Sequence, residues 1–317
     1  MTTETIKGQM PDQAIADMLQ LAQRPEFKKL LYVPTINWVL GLSLLAGMAL
    51  SAYVGHQWFV GELHYAWAFV VIGYTFFISL LVTHDACHLA MGRSKFANDW
   101  LASALVFPFY PHQPIAQWRH QHLSHHRDTC GEEDPDHDLY NGNALVRIFK
   151  LFTHDLYWTH WSLKNRDSAP ASTYWINIAS LALFAVIVVA GLSSAYWYEF
   201  LLLYLIPQRI VHGLVIYILA YMQHPPEKCD VKEVNPFKTT IVLRGFTQFY
   251  YKFLFSQNRH LIHHLYPNMP IYRNGKAWEI GKDIFEKQEL VNVGINADYY
   301  NEISAENSRR KQREQQY

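Results

Sequence analysis

Hydrophobic residues along this chain gather into four long runs separated by polar stretches. Residues 35–54, 65–83, 173–191 and 196–222 are each predominantly apolar. About twenty apolar residues in an α-helix cross the ~30 Å of hydrocarbon in a bilayer, so each run predicts a transmembrane helix. Shorter patterns lie between them. Residues 12–23 place apolar side chains at helical spacing and stop before Pro25, predicting a short amphipathic helix that lies on the membrane surface or on the polar part of the protein. Residues 100–110 are too few to cross and contain Pro108, which predicts a re-entrant or interfacial segment. Residues 144–163 are apolar on one side and carry Trp158 and Trp161; they predict a helix in the headgroup plane, with an ordinary buried helix as the alternative. Charges recur at helical spacing through 276–290, and residues 305–317 form a charged tail expected to fray. No repeat or linker divides the chain, so residues 1–317 are expected to form one domain, and the polar first thirty residues predict no cleavable signal peptide.

Composition sharpens this picture. Half the residues are hydrophobic and 15% aromatic, yet the formal net charge is zero and the mean hydropathy is −0.08. That balance fits a few strongly apolar spans joined to a large polar remainder, and gives no basic surface for nucleic acid. The distribution of positive charge then orients the spans. The short connections Gly55–His64 and Leu192–Ala195 carry no Lys or Arg, whereas Arg24, Lys28, Lys29, Arg93, Lys95, Arg119, Arg127 and Arg309–Lys311 all fall on the other side. The positive-inside rule therefore predicts a multi-pass membrane protein with both termini in the cytoplasm. Three cysteines, Cys87, Cys130 and Cys229, with no CxxC pair, argue against a disulfide framework and for a reducing compartment.

The chemistry resides in the histidines. His122, His125 and His126 stand at i, i+3 and i+4, on one face of a helix. Imidazoles aimed at one point suit a transition metal, although a single cluster of this kind fits chance or a zinc site as well. His84 and His88 stand at i and i+4, and His260, His263 and His264 repeat the i, i+3, i+4 pattern. Eight of the 17 histidines thus fall in three clusters. One zinc ion takes four ligands at most in a structural site, so this number points to two metals side by side. The Glu-x-x-His pairs of ferritin-like di-iron bundles are not found near the clusters. With the spans oriented as above, all three clusters face the cytoplasm.

The order His-x-x-x-His, His-x-x-His-His, His-x-x-His-His resembles the membrane-bound histidine-box family, which contains the fatty acid desaturases and the carotenoid ketolases and hydroxylases. Trp118-Arg119 before the second box, Asp134-Pro-Asp136 after it and Leu265-Tyr-Pro-Asn-Met-Pro270 after the third carry the resemblance further, over roughly residues 35–275. It implies an all-α integral membrane fold, four transmembrane helices with a cytosolic helical cap holding a histidine-rich di-metal site. Tyr221-Met-Gln-His224 resembles a segment of plant-type acyl-lipid desaturases that supplies an additional histidine ligand. The implied ligand set is His84, His88, His122, His125, His126, His224, His260, His263 and His264. The implied cofactors are two iron ions (Fe2+), with dioxygen as co-substrate. Asp85, Asp134 and Asp136 are expected either to hold ligand N–H groups or to make ordinary capping and loop hydrogen bonds.

Arg209 and His212 lie in the middle of the fourth span, where ionisable groups are rare. They are expected either to satisfy each other and the backbone near Pro207, or to contact substrate. His120, although inside the second box, falls on another helix face, and His56, His64, His112, His137, His154 and His160 are scattered. No His-Pro-Gly-Gly haem-binding segment is present, so electrons are expected from an external ferredoxin- or cytochrome-type donor. The expected activity is oxygen-dependent desaturation of a fatty acyl chain by a protein surrounded by membrane lipids, the acyl carrier being a lipid, CoA or a carrier protein. Ketolation or hydroxylation of a carotenoid or another apolar metabolite is the alternative on the same site. A histidine-rich metal transporter or sensor is the alternative of another class, but such sites belong within the spans, near the midplane.

Overall fold

The structure, a computed structural model, describes residues 12–294 apart from 233, 245, 246 and 289. The charged tail 305–317, with Arg309–Lys311, lies outside the described residues. Among the described residues, four helices are long and apolar enough to cross a membrane: Trp38–Phe59 (α3), Tyr65–Cys87 (α4), Ala171–Leu192 (α9) and Trp197–Tyr221 (α10). They are preceded by Asp12–Gln23 (α1) and Pro25–Leu31 (α2). Between the two helix pairs run Ala102–Val106 (α5), Ile115–Arg127 (α6), Ala144–Phe152 (α7) and His154–Lys164 (α8). Thr247–Phe253 (α11), His260–Leu265 (α12) and Asn274–Phe285 (α13) follow, with a two-stranded parallel sheet of Val242–Arg244 (β1) and Asn292–Gly294 (β2).

Local chemistry sets the ends of the spans. The Asn37 side chain accepts from Leu40 N and starts α3, and His64 Nδ1 accepts from Ala66 N and starts α4. α3 runs through Phe59, so the connection to α4 is shorter than Gly55–His64; Gly61, at φ +84°, makes the turn. The four helices differ in how much protein covers them. α4 is mostly buried, packed between α3 and α10, while nearly all of α9 is left uncovered. A helix apolar all round and uncovered is one that faces lipid. α10 is not uniform: π-turns at Leu201–Leu205 and Tyr217–Tyr221 flank the α-helical Ile206–Ile216. The first precedes Pro207, which has no N–H to give the preceding turn.

Outside the four long helices, Phe96–Leu101 forms a π-turn that enters α5, which at five residues is too short to span a bilayer, and the chain runs on to Pro108. α1 and α2 pack on α13 through Leu21, Phe27, Trp278 and Phe285, and Arg24 pairs with Asp283 through both carboxylate oxygens at 2.6 Å. Residues 144–163 do not form the single helix the pattern predicts. The chain breaks at Thr153, so α7 keeps an exposed apolar face of Leu145, Ile148 and Phe149 while α8 turns inward. Trp158, expected at the headgroups, is buried.

Candidate metal centre

The C-terminal ends of α4 and α10 lie at the same end of the bundle, and the histidines are assembled there. His84 sits on the last turn of α4 and His88 caps it. α6 carries His122, His125 and His126, short α12 carries His260, His263 and His264, and His224 follows the end of α10. All nine are buried.

Their ring nitrogens converge in two adjoining groups. The ligand atoms of His84, His88, His122 and His263 lie within 4.8 Å of one another, as do those of His125, His224 and His264. His126 joins them: its Nε2 stands 3.3 Å from that of His122 and 2.8 Å from that of His263, and its ring stacks on His264 at 4.2 Å. His260 lies on the second group's flank, 4.9 Å from His264 and 5.4 Å from His224 between ring centroids. His84 Nε2 and His263 Nε2 are 3.0 Å apart. Nitrogens bound to one divalent first-row ion at ~2.1 Å and near right angles stand roughly 3 Å apart. The residues therefore fit metal ions, and a further observation agrees. Nε2 of His88, His224 and His264 is buried with no hydrogen-bond partner among the described residues, a costly state for a polar atom unless a ligand takes its lone pair.

Electrostatics keeps most of these rings in the binding form. Burial, and then the neighbouring imidazoles, holds His122, His126, His260, His263 and His264 well below the usual histidine range. His224 is lowered to about 3 by burial and by His125. Neutral imidazoles offer lone pairs at pH 7. His125 differs: burial pushes it down, but Asp134 and then Asp136 outweigh burial and raise it to about 9.

The carboxylates expected near the ligands are placed around them. Asp134 accepts from His125 Nδ1 with both oxygens, at 2.9 and 3.0 Å, which leaves His125 Nε2 toward the second group. His224 Nδ1 donates to Thr239 O at 2.9 Å, and so its Nε2 is fixed as the acceptor. Asp136 Oδ2 lies 3.7 Å from His125 Nδ1, and Asp136 Oδ1 accepts from His154 Nε2 at 2.8 Å and Trp158 Nε1 at 2.7 Å. Asp85 Oδ1 lies 3.5 Å from His84 Nδ1; its carboxylate also accepts from Asn37 Nδ2 and Ile271 N, tying α4 to the start of α3 and to the segment after α12.

Arg209 and His212 do not bond to each other. Arg209 grips Asp155 with two N–H groups, at 2.9 and 2.5 Å, and His112 Nε2 bonds the same carboxylate at 2.7 Å. His212 is fully buried, its ring 6.1 Å from that of His154. His120 is outside the cluster and bonds Ser168 at 2.8 Å. Sequence reasoning missed His112, His154, Asp155 and Trp158 as part of this architecture. The one signal was spacing, since His154 and Trp158 stand at i and i+4; their partner, 18 and 22 residues away, was not legible.

An apolar groove of about 190 Å³ opens between α4 and α10, lined by Tyr74, Phe77, Val211, Leu214 and Ile218. Gln257, three residues before His260, also lines it; it is fully buried, and neither atom of its side-chain amide has a partner among the described residues.

Comparison with known proteins gives the family. The chain is 26% identical over 233 residues to the Delta(12) fatty acid desaturase fat-2 of Caenorhabditis elegans, covering 65% of this chain. It is 24% identical over 246 residues to a Delta(12) acyl-lipid conjugase (11E,13E-forming) of Impatiens balsamina, again 65% of this chain. To the sn-1 acyl-lipid omega-3 desaturase (ferredoxin) of Synechocystis sp. it is 24% identical over 272 residues, 77% of this chain and 74% of the relative. It spans 59% and 62% of the length of the first two. The family model for fatty acid desaturases matches residues 63–292, from the connection before the first histidine box to beyond the third. The match takes in α4, α9, α10 and all three histidine boxes, and the chain belongs to the fatty acid desaturase family.

Proposed function

We propose that this protein is an oxygen-dependent desaturase that introduces a double bond into a fatty acyl chain. Two Fe2+ ions are held by His84, His88, His122, His125, His126, His224, His260, His263 and His264, with Asp85, Asp134 and Asp136 orienting the rings. The observation that carries this reading is the pair of adjoining histidine groups, each with its ligand atoms within 4.8 Å of one another, and the nitrogens of His84, His122, His126 and His263 approaching to 2.8–3.3 Å. When bound, the ions supply the dioxygen chemistry needed to take hydrogen from an unactivated C–H bond.

The rest falls to the chain itself. Neutral imidazoles present lone pairs, Asp134 and Thr239 O fix the tautomers of His125 and His224, and the buried surroundings keep water from the reacting carbon. The groove between α4 and α10 supports an apolar chain as substrate, reaching the centre beside Gln257. The acyl-lipid names of two relatives support membrane lipid as its source. Arg209 and His212 face α8 instead of the groove, and we assign them to holding that helix.

Desaturation removes two hydrogen atoms from adjacent methylenes while dioxygen becomes two waters. Two electrons and two protons must then come from outside the substrate, hence an external donor, and the ferredoxin in the name of the Synechocystis relative supports one of that type. In this reading the whole chain is one domain. Its four helices span the membrane, and the termini and the metal centre lie on the cytoplasmic side, with the helices outside the spans forming the cap.

The test is the fatty-acid profile, by gas chromatography and mass spectrometry, of a bacterium expressing this chain beside a His263→Ala control. A new double bond absent from the control is expected. An unchanged profile from a membrane-bound protein carrying about two irons per chain would reject the acyl substrate while leaving the centre in place.

A further inference from the structure

α8 packs against α6, which carries the second histidine box. Two of its side chains, one turn apart on one face, reach the same oxygen: His154 Nε2 and Trp158 Nε1 both donate to Asp136 Oδ1, at 2.8 and 2.7 Å. His154, Trp158 and Asp136 are all buried. Asp136 in turn shapes Asp134, since its backbone N–H donates to Asp134 Oδ1 at 2.9 Å; the Cys130 N–H donates to the other oxygen at 3.0 Å. Asp134 is the carboxylate that takes the His125 Nδ1–H. The Trp158 indole also packs edge-on against Trp118 at 5.0 Å, and its backbone carbonyl accepts from Gln121, both on α6. Two buried carboxylates two residues apart repel each other, and only donors aimed at them keep both near one imidazole.

We propose that His154 and Trp158 are positioning residues for the metal centre, holding Asp136, and through it Asp134 and His125, in the ligand geometry. This rests on reading the histidines as metal ligands. The consecutive pair His154-Asp155 makes α8 a brace: one side chain points to the centre, and the next grips Arg209 of α10 and His112. The two N–H groups act as one clamp, because the indole and the imidazole lie in contact, tilted by 51° with centroids 4.6 Å apart, and share the same acceptor.

Full-length protein in detergent, loaded with Fe2+, is challenged with a ferrous chelator, and the iron retained per chain and its release rate are measured. The variants are Trp158→Phe, which keeps the packing on Trp118 and loses the N–H, His154→Leu, and His154→Gln, whose amide nitrogen can take the place of Nε2. Loss of such an outer hydrogen bond weakens metal binding by about 10–100-fold. Trp158→Phe and His154→Leu are expected to lose iron faster by about that factor, and His154→Gln to restore most of the retention. Iron held by Trp158→Phe as tightly as by the parent overturns the proposal. So does a His154→Gln protein as leaky as His154→Leu, because simple space-filling would then explain both. Should His154→Leu fail to accumulate, Trp158→Phe and His154→Gln still decide the matter. A parent that binds no metal removes the underlying reading, and this proposal with it.

Discussion

Asp155 is a carboxylate shut away from water and faced by Arg209, His112 and His212. Burial alone would raise its pKa. His212, His112 and Arg209 more than offset this and hold it well below its ordinary 3.8. A carboxyl whose folded pKa is depressed stabilises the fold above its unfolded value and loses that contribution as pH falls through the folded one. The pair's contribution is therefore expected to be full above about pH 3.8 and to decline below it. Asp155→Leu leaves Arg209 unpaired inside a span and is expected to destabilise by about 3 kcal/mol, while Asp155→Leu with Arg209→Leu recovers most of the loss. Melting temperatures of the parent, both single variants and the double variant between pH 3 and 7 check this, and additive losses in the double variant would refute the pairing. The two charged residues were each visible in the chain, one in a span and one outside it. Nothing local linked them, because they are 54 residues apart.

The histidine boxes were legible as elements because ligand spacing and helical periodicity are the same signal: i, i+3 and i+4 put three rings on one face whatever the helix packs against. α6 and α12 follow that rule. The break between α7 and α8 was not legible, since apolar periodicity continues through Thr153 and only packing shows that Trp158 turns inward. Nor was the groove between α4 and α10, which is lined by residues of two apolar helices far apart in sequence and not by any motif. Leu214 lines that groove and is half exposed, so a larger side chain fits there without strain on the core. Leu214→Trp is expected to leave about two irons per chain bound while lowering desaturated product by about tenfold or more, an obstruction equivalent to about 1.4 kcal/mol. Metal analysis and fatty-acid profiling of the same preparation separate the two effects; full activity would show that the chain does not pass there.

For the molecule as a whole, the arrangement of charges and apolar runs leads to a topology that can be measured. In the proposed orientation, epitope tags at either terminus are protected in sealed right-side-out vesicles, and a tag inserted at Gly61 is accessible. A terminal tag reached from outside would reverse the assignment. Read alone, the chain already declared four apolar helices, three histidine boxes and a family resemblance, because transfer of apolar residues to lipid and the facing of i, i+3, i+4 positions depend only on neighbours in sequence. Tertiary structure decided the rest: that seven of the rings form two adjoining groups with His126 and His260 against them, that His154 and Trp158 stand behind Asp136, and that Arg209 is answered by Asp155. These are contacts between distant segments, and a distant contact is selected by how the helices pack together, which no local pattern encodes.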